Sequence, residues 1–367
     1  MTKVSLTTST SDATFLDDTC NPSYEEADVI LLGIACDLTA SYNKGAWYGP
    51  YALLDASYQI EYPVPGFGIS LTEKVKIHNY GILICPKSVD SNGEVIEYSK
   101  KEINISMQEM VKKTEKIALN VFENNKLLML FGGDHSVPNG VWKAIKKRYN
   151  PEEVTILHFD GHLDLRDTLD DLKYSHACIM RRARDTGFRV LQVGIRDHIS
   201  EEESVYIQEK NLKDDIYFCA TQTLGFYEEF KMTLSKKNSI QHSNLIFNGE
   251  LTQTQIQSLN KKISQAKYLW ISIDVDGLDA SDIPGTGTPL PLGLKRKAIR
   301  ETIYSALRTA AKYKIKVLGF DINEVSPQLK KEGDYTAMNT VSTINEMDAA
   351  LLAYNILFWN YLERFTK

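Results

Sequence analysis

The chain has 367 residues, of which 43% are hydrophobic and 25% are charged, so its composition is that of an ordinary globular protein. A formal net charge of −6 gives no basic footprint for nucleic acid. No stretch approaches the roughly 20 consecutive apolar residues of a membrane span, which argues against a membrane protein.

The cysteines and the start of the chain indicate the compartment. The five cysteines are scattered and form no CxxC pair, which is typical of reduced thiols rather than of a disulfide framework or a zinc ribbon. Residues 1–26 form a polar N-terminal tail without the apolar core of a signal peptide. We therefore expect a cytoplasmic protein that binds neither nucleic acid nor a membrane.

Apolar runs and helical periodicities alternate from residue 27 onwards. In chain order, strands are predicted at 27–36, 77–84, 126–131, 154–159, 189–193, 216–219, 245–248, 268–275 and 317–322. Helices are predicted at 51–61, 99–123, 137–148, 175–184, 201–209, 295–313 and 341–365. This alternation predicts an α/β fold with a largely parallel central sheet and helices on both faces. Residues 27–367 are expected to form a single domain.

Four of the predicted strands end in polar residues of the same kind. Asp160, His162 and Asp164 follow one strand at i, i+2 and i+4, so in an extended chain they share one face. The carboxyl ends of parallel strands are where open α/β sheets place their ligands. Candidate metal ligands at three of these ends are His135, Asp160, His162, Asp164, Asp274 and Asp276. Glu324 follows the last strand.

This set of side chains predicts a metal site. Four carboxylates near buried strands need a counter-charge, because unpaired buried charge costs several kcal/mol. Carboxylates with a minority of imidazoles and no thiolate favour Mn²⁺, with Ni²⁺ or Co²⁺ as other divalent ions, over structural zinc. Six ligands suit two ions about 3.5–4 Å apart, which lower the pKa of bound water towards about 7. An acidic surface cluster, or a single Ca²⁺ or Mg²⁺ bound for stability, is the alternative.

The same segments resemble the signature segments of the ureohydrolase family, which includes arginases and agmatinases. They are GGDHS at 132–136, DGHLD at 160–164 and SIDVDGLDASDIPGTGTP at 272–289. The likeness extends to YSHACIMRRA at 174–183, which is more similar to agmatinase-type members, and to DINEVSP at 321–327. The chain departs from the family pattern at Gly161, at Ala280 and at residues 43–47, none of which is a candidate ligand.

The resemblance implies a three-layer α/β/α fold of the arginase type and hydrolysis of a guanidino group to urea and an amine. It implies two manganese ions per chain, held by the six residues named above, with Asp164 also counted as catalytic. It further implies that His176 shuttles a proton and that Glu324 orients the guanidinium. A role in polyamine metabolism and a homo-oligomer, trimer or hexamer, belong to the same implication.

The loop at 165–175 is expected to rim the site, because it joins Asp164 to His176. It carries three aspartates against one arginine and one lysine, which favours a substrate whose far end is an amine, such as agmatine. The predicted substrate-binding residues are Asp167, Asp170, Asp171 and Glu324. Arg166 alone can hold a carboxylate, so arginine, a guanidino acid, free guanidine and formiminoglutamate stay open as substrates.

Two hypotheses lie outside this class. A binuclear metallophosphoesterase uses similar ligands, but it requires an Asn-His-Asp/Glu segment and a downstream His-x-His segment that the sequence lacks. A non-catalytic scaffold relative is expected to have lost ligands, whereas all six are retained here. His158 is expected to point away from the Asp160 face or to pack in the sheet, and to be structural.

Overall fold

One ten-stranded sheet organises the protein, seen in a computed structural model that describes residues 6–9, 14–16, 21–61, 68–90, 94–220, 244–327 and 344–365. The strands are β1 Thr7–Ser9, β2 Val29–Ala35, β3 Ile77–Ile84, β4 Leu127–Phe131, β5 Val154–Phe159, β6 Arg189–Ile195, β7 Ile216–Cys219, β8 Leu245–Ile246, β9 Tyr268–Asp274 and β10 Lys316–Asn323. Their order is β1-β3-β2-β4-β10-β9-β5-β6-β7-β8. Only β1 is antiparallel to its neighbour among these strands.

Helices cover both faces of this sheet. The described residues contain α1 Gly49–Ser57, α2 Lys100–Glu123, α3 Asn139–Arg148, α4 Ile179–Thr186, α5 Glu201–Glu209, α6 Gln253–Ile263, α7 Arg296–Lys312 and α8 Ile344–Phe365. Helices α2 to α5 pack into one apolar core, and α1, α6, α7 and α8 pack into the other. Strand β5 divides its side chains between the two cores, with Ile156 in one and Leu157 in the other. Burial on both faces explains its mostly apolar sequence, and the predicted three-layer α/β/α fold is confirmed.

Most element bounds follow the sequence pattern. The predicted strand at 154–159 and helix at 201–209 coincide with β5 and α5, whereas β1 and α6 were not predicted. The helix predicted at 175–184 begins as a short 3₁₀ turn, His176–Cys178, before α4. The predicted start of the last helix, at 341–343, lies outside the described residues. The division at residue 27 stays a prediction, and the preceding segment contributes β1 and the buried Phe15.

The four strands that carry the candidate residues are neighbours at the centre of the sheet. Strand β10 pairs with β4 and β9, and β9 pairs with β5. Their carboxyl ends are in register, with Phe131 opposite Ile322 and Phe159 opposite Ile273. The residues that follow these strands therefore meet at one edge. Among the described residues, no helix is both long and apolar enough to cross a bilayer.

Candidate functional site

The buried imidazole of His135 is surrounded by three carboxylates. Its Nδ1 lies 3.1 Å from Asp160 Oδ2, 3.2 Å from Asp164 Oδ2 and 3.4 Å from Asp274 Oδ2. A single ring N–H can donate a well-aligned hydrogen bond to only one acceptor. The convergence of three carboxylate oxygens on a single nitrogen is therefore the arrangement of groups that share a cation rather than a proton.

A second cluster lies beside the first and shares Asp160 with it. His162 Nδ1 is 3.0 Å from Asp276 Oδ2 and 3.4 Å from Asp160 Oδ1. Asp160 thus presents one oxygen to each imidazole. Potential ligand atoms lie within 4.8 Å of one another in two sets, which are His135, His158, Asp160 and Asp164, and Asp160, His162 and Asp276. Asp274 Oδ1 accepts a hydrogen bond of 2.8 Å from the Asp276 amide, which fixes the orientation of this carboxylate. A shared carboxylate is the arrangement that a binuclear site requires.

Buried side chains hold the His135 imidazole through its other ring nitrogen, Nε2. His135 Nε2 lies 3.1 Å from Ser272 Oγ, which donates to Asp321 Oδ1 at 2.8 Å. Asp321 also accepts hydrogen bonds from Trp270 Nε1 and Asn323 Nδ2. These contacts fix the ring plane and leave Nδ1 facing the carboxylates, as outer partners of metal-binding histidines commonly do.

The loops of the site adopt backbone conformations that are costly for ordinary residues. Asp164 and Glu324 have φ of 54° and 65°, in the left-handed region. A Cβ at Gly133 would lie 1.8 Å from the carbonyl oxygen of Cys36, so only glycine allows residues 132–136 to approach the end of β2 so closely. Such strain persists where the surrounding structure enforces it, commonly at functional sites.

The electrostatics of the site call for positive charge. Burial, together with the charge of Asp160, raises the pKa of Asp164 to about 8. Burial and Asp276 raise the pKa of Asp274 well above its ordinary value. Burial alone would lower the pKa of His135, but its hydrogen bonds to the surrounding carboxylates raise it. Among the described residues, no lysine or arginine pairs with these carboxylates, so divalent cations fit this donor set.

His158 was expected to point away from Asp160, and that expectation was wrong. Residues two apart in an extended strand share a face, and His158 Nε2 lies 2.9 Å from Asp160 Oδ2. Gln192 Nε2 lies 3.3 Å from His158 Nδ1 and donates to the Leu163 carbonyl at 2.8 Å, which identifies it as the amide nitrogen. Nδ1 is therefore an acceptor, and Nε2–H donates to Asp160. His158 thus lies within the first cluster, where its Nε2–H holds Asp160 in place.

A cavity of about 230 Å³ opens beside the two clusters and is lined by His162, Asp164, Arg166, His176, Asp197 and Glu203, among others. His176 Nε2 lies 3.5 Å from Ser41 Oγ. The His176 amide donates to Thr39 Oγ1 at 3.1 Å, and Thr39 donates to Asp134 Oδ2 at 2.8 Å. These bonds tie His176 to the segment that carries His135. Burial lowers the pKa of His176 below its ordinary value.

Glu324 is not among the residues that line this cavity, and it contacts the segment that carries His135. Its Oε1 accepts a hydrogen bond of 2.9 Å from the His135 amide. A Cβ at Gly287 would lie 2.9 Å from Oε2, so the loop at 285–288 passes close to the carboxylate. Burial, followed by the charges of Asp274 and Asp134, raises the pKa of Glu324 well above its ordinary value.

The rim loop places its aspartates away from the cavity. Asp170 and Asp171 have φ of 52° and 66° and form the two-residue turn of a hairpin closed by Leu169 and Leu172. Asp171 pairs with Lys100 at 2.9 Å, and Asp167 pairs with Arg182 at 2.5 Å. None of the three aspartates lines the cavity, whereas Arg166 does. That the three aspartates bind substrate stays a prediction.

Two acidic residues of the cavity wall were not singled out in the sequence. Glu203 caps α5 through Ser200, and its Oε1 accepts a hydrogen bond from the Leu165 amide at 3.3 Å. Asp197 lies 3.6 Å from His162 Nε2 and is 42% exposed. The signal was available, because Asp197 follows the end of β6 as the other site residues follow their strands.

Comparisons with known proteins agree with this geometry. A family model described as "Arginase family" matches residues 27–349. The N(1)-aminopropylagmatine ureohydrolase of Synechocystis sp. is 28% identical over 351 residues, 95% of each chain. The agmatinase of Pyrococcus horikoshii is 28% identical over 302 residues, 82% of this chain and 85% of that protein. The agmatine ureohydrolase structure of Thermoplasma volcanium superposes with a TM-score of 0.64 at 24% identity, covering 93% and 92% of the two chains.

Proposed function

The chain belongs to the arginase family, and from this premise we propose that it hydrolyses the guanidino group of an amine such as agmatine to urea and an amine at a binuclear metal site. The proposal rests mainly on the Asp160 carboxylate, which both clusters share. Its Oδ2 faces His135 and its Oδ1 faces His162. Relatives named agmatinase and aminopropylagmatine ureohydrolase support the substrate class.

The proposed ligands follow from the two clusters. His135, Asp160, Asp164 and Asp274 would hold one ion, and Asp160, His162, Asp274 and Asp276 the other. The donor set suits Mn²⁺, and Ni²⁺ or Co²⁺ are compatible with it. When bound, the ions would supply the Lewis acidity and the activated water that attack on a guanidinium carbon requires.

Protein side chains would then bind the substrate and move protons. The Glu324 carboxylate would accept N–H bonds from the planar guanidinium, for which a carboxylate is the matching partner. The departing amine must take up a proton, and His176 lines the cavity where this nitrogen would emerge. Because burial lowers its pKa, His176 is neutral at neutral pH and can accept a proton from water and pass it on through Nε2.

The far end of the substrate would lie in the 230 Å³ cavity. There Asp197 can pair with an ammonium group, and Arg166 can pair with a carboxylate. Glu203 is already engaged by Ser200 and Leu165. The choice between a guanidino amine and a guanidino acid therefore depends on Asp197 and Arg166, with Asp167, Asp170 and Asp171 further out on the rim loop.

A product-release screen with Mn²⁺ tests the proposal. The panel contains agmatine, aminopropylagmatine, arginine, guanidinobutyrate, free guanidine and formiminoglutamate, with formamide measured for the last compound and urea for the others. We expect a guanidino amine to have the highest kcat/KM. Turnover confined to guanidine or to an acidic compound would overturn the substrate class, and phosphate release from an aryl phosphate without urea would overturn the reaction.

The same proposal includes a cytoplasmic homo-oligomer, trimeric or hexameric, that acts in polyamine metabolism. The four described cysteines are unpaired, which fits a reducing compartment. Light scattering on the purified protein gives the number of chains, and fractionation of cells gives the compartment.

A further inference from the structure

A second charged cavity lies at the opposite edge of the sheet from the candidate active site. It measures about 790 Å³ and is lined by the end of α7, the start of β10 and the end of α8. A neighbouring cavity of about 530 Å³ lies against the starts of β2, β4 and β10. The two cavities share Lys316 and Arg364. Because β10 has eight residues at about 3.3 Å each, roughly 25 Å separate them from the metal clusters.

Positive charge dominates the walls of the larger cavity. Its cationic residues are Arg308, Lys312, Lys314, Lys316 and Arg364, against the single carboxylate of Glu363. Glu363 is already engaged, since it lies 3.6 Å from Arg308 Nε and 3.3 Å from the Tyr304 hydroxyl. This concentration of cations occurs in a chain whose formal net charge is −6.

The two shared cations have no carboxylate partner among the residues that the structure describes. Lys316 Nζ contacts Asn125 Oδ1 at 3.1 Å, and Arg364 Nη2 donates to the Ile315 carbonyl at 3.4 Å. Both acceptors are neutral. Burial, followed by the nearby charges of Arg148 and Arg364, lowers the pKa of Lys316, and burial lowers the pKa of Arg364. Lys316 is half-buried and Arg364 is partly exposed, and cations that repel one another are stabilised by an anion placed between them.

We propose that these joined cavities bind a small organic molecule carrying two or more phosphate groups, with Lys316 and Arg364 at the centre of the site. Guanidinium and ammonium groups are the usual partners of phosphate oxygens. A cavity of about 790 Å³ is larger than one inorganic phosphate needs and lies within the usual range for small-molecule sites. Because cationic side chains line both cavities, an anion whose charged groups lie apart fits the site.

Calorimetric titration of the metal-loaded protein tests the proposal, with fructose 1,6-bisphosphate as the probe and fructose and inorganic phosphate as comparisons. We expect saturable binding of the bisphosphate, much weaker binding of phosphate and none of fructose. Lys316→Gln and Arg364→Gln should each weaken binding at least about tenfold, as loss of a charge-assisted hydrogen bond does. Lys312→Ala, at an exposed position of the same wall, is the further variant to measure if Lys316→Gln does not fold.

Lys297→Gln is the matched control, because it removes the same charge from α7 at an exposed position paired with Glu301. It should leave the affinity within about twofold, since surface ion pairs contribute little. Absence of binding at millimolar bisphosphate would overturn the proposal. Equal weakening by Lys297→Gln and Lys316→Gln would also overturn it, because it would show diffuse attraction rather than a site.

Discussion

At the scale of single residues, His176 lies in the cavity wall without contacting the candidate ligands. If it passes a proton to the leaving amine, His176→Ala should lower kcat by about 10²–10⁴-fold, with metal content unchanged. Burial lowers its pKa, so the neutral, shuttling form persists through neutral pH. The activity that depends on it should fall only as pH drops below about 6.5. Steady-state kinetics against pH, with metal analysis of the variant, measure both effects, and an unchanged kcat would remove His176 from the mechanism.

His158 supports Asp160 through a single donated hydrogen bond of 2.9 Å. Outer partners of metal ligands typically contribute 10–100-fold in metal affinity. We expect His158→Leu, which has no donor, to weaken metal binding by about this factor. His158→Gln can place an amide N–H near the same oxygen and should recover most of the affinity. Calorimetric metal titration distinguishes the two variants, and equal losses would show that His158 only fills space.

Asp197 and Arg166 offer opposite charges to the far end of the substrate. We expect Asp197→Asn to raise KM for agmatine about tenfold with kcat little changed, because the contact is equal in ground and transition states. Arg166→Gln should leave agmatine turnover nearly unaffected. The Asp167, Asp170 and Asp171 triple Asn variant is the comparison. A change in KM confined to that variant would place the substrate tail at the rim loop instead of at Asp197.

At the scale of elements, the site depends on how closely the segment at 132–136 approaches β2. The Cβ of Gly133→Ala would meet the Cys36 carbonyl oxygen at 1.8 Å, so one of the two backbones must move. Overpacking of this kind typically costs about 1–3 kcal/mol, and His135 would be displaced with the loop. Denaturant unfolding should show the lower stability of the variant, and metal titration should show its weaker metal binding.

Gly161→Ala is the control for Gly133→Ala, since Gly161 also lies in a loop of the site, the one that follows β5. Its Cβ would lie 3.0 Å from Arg196 Nη1 and 3.2 Å from Asp276 Oδ1, so these side chains need to shift by only a few tenths of an ångström. We expect a loss of stability below about 1 kcal/mol there. Equal effects of the two substitutions would contradict the close-approach argument.

Elements with a strong pattern were predictable and those without one were not. Strand β5 is mostly apolar, and α5 begins with the capping box Ser200 and Glu203. Strand β1 consists of three polar residues, Thr7–Ser9, and is a strand only because it pairs with β3. The start of helix α6 is also marked in the sequence, by the capping box of Thr252 and Gln255.

At the scale of the whole molecule, local motifs predicted which residues lie together at the site. They did not predict which of these residues line the cavity. The period of two in a strand placed Asp160 and Asp164 on one face, and parallel topology placed four strand ends together. The same period applied to His158 would have predicted its contact with Asp160. Which loop residues line the cavity depends on contacts distant in sequence, such as Asp167 with Arg182 and Asp171 with Lys100, which spacing does not encode.

The carboxyl and amino ends of the parallel strands carry side chains of opposite charge. The carboxyl edge gathers buried carboxylates around Asp160, and the amino edge gathers the cations around Lys316. With a formal net charge of −6, the chain therefore separates its charges along the strand direction. Cations are expected to bind at the first edge and anions at the second.

Titration of the metal-free protein with Mn²⁺, with urea release from agmatine followed at each step, tests the two-ion hydrolase most directly. Asp160 is shared by both clusters, so activity should saturate at about two ions per chain. In Asp160→Asn, neither the ions nor the activity should be retained. Saturation at one ion, or no urea at any metal content while the protein stays folded, would contradict the account.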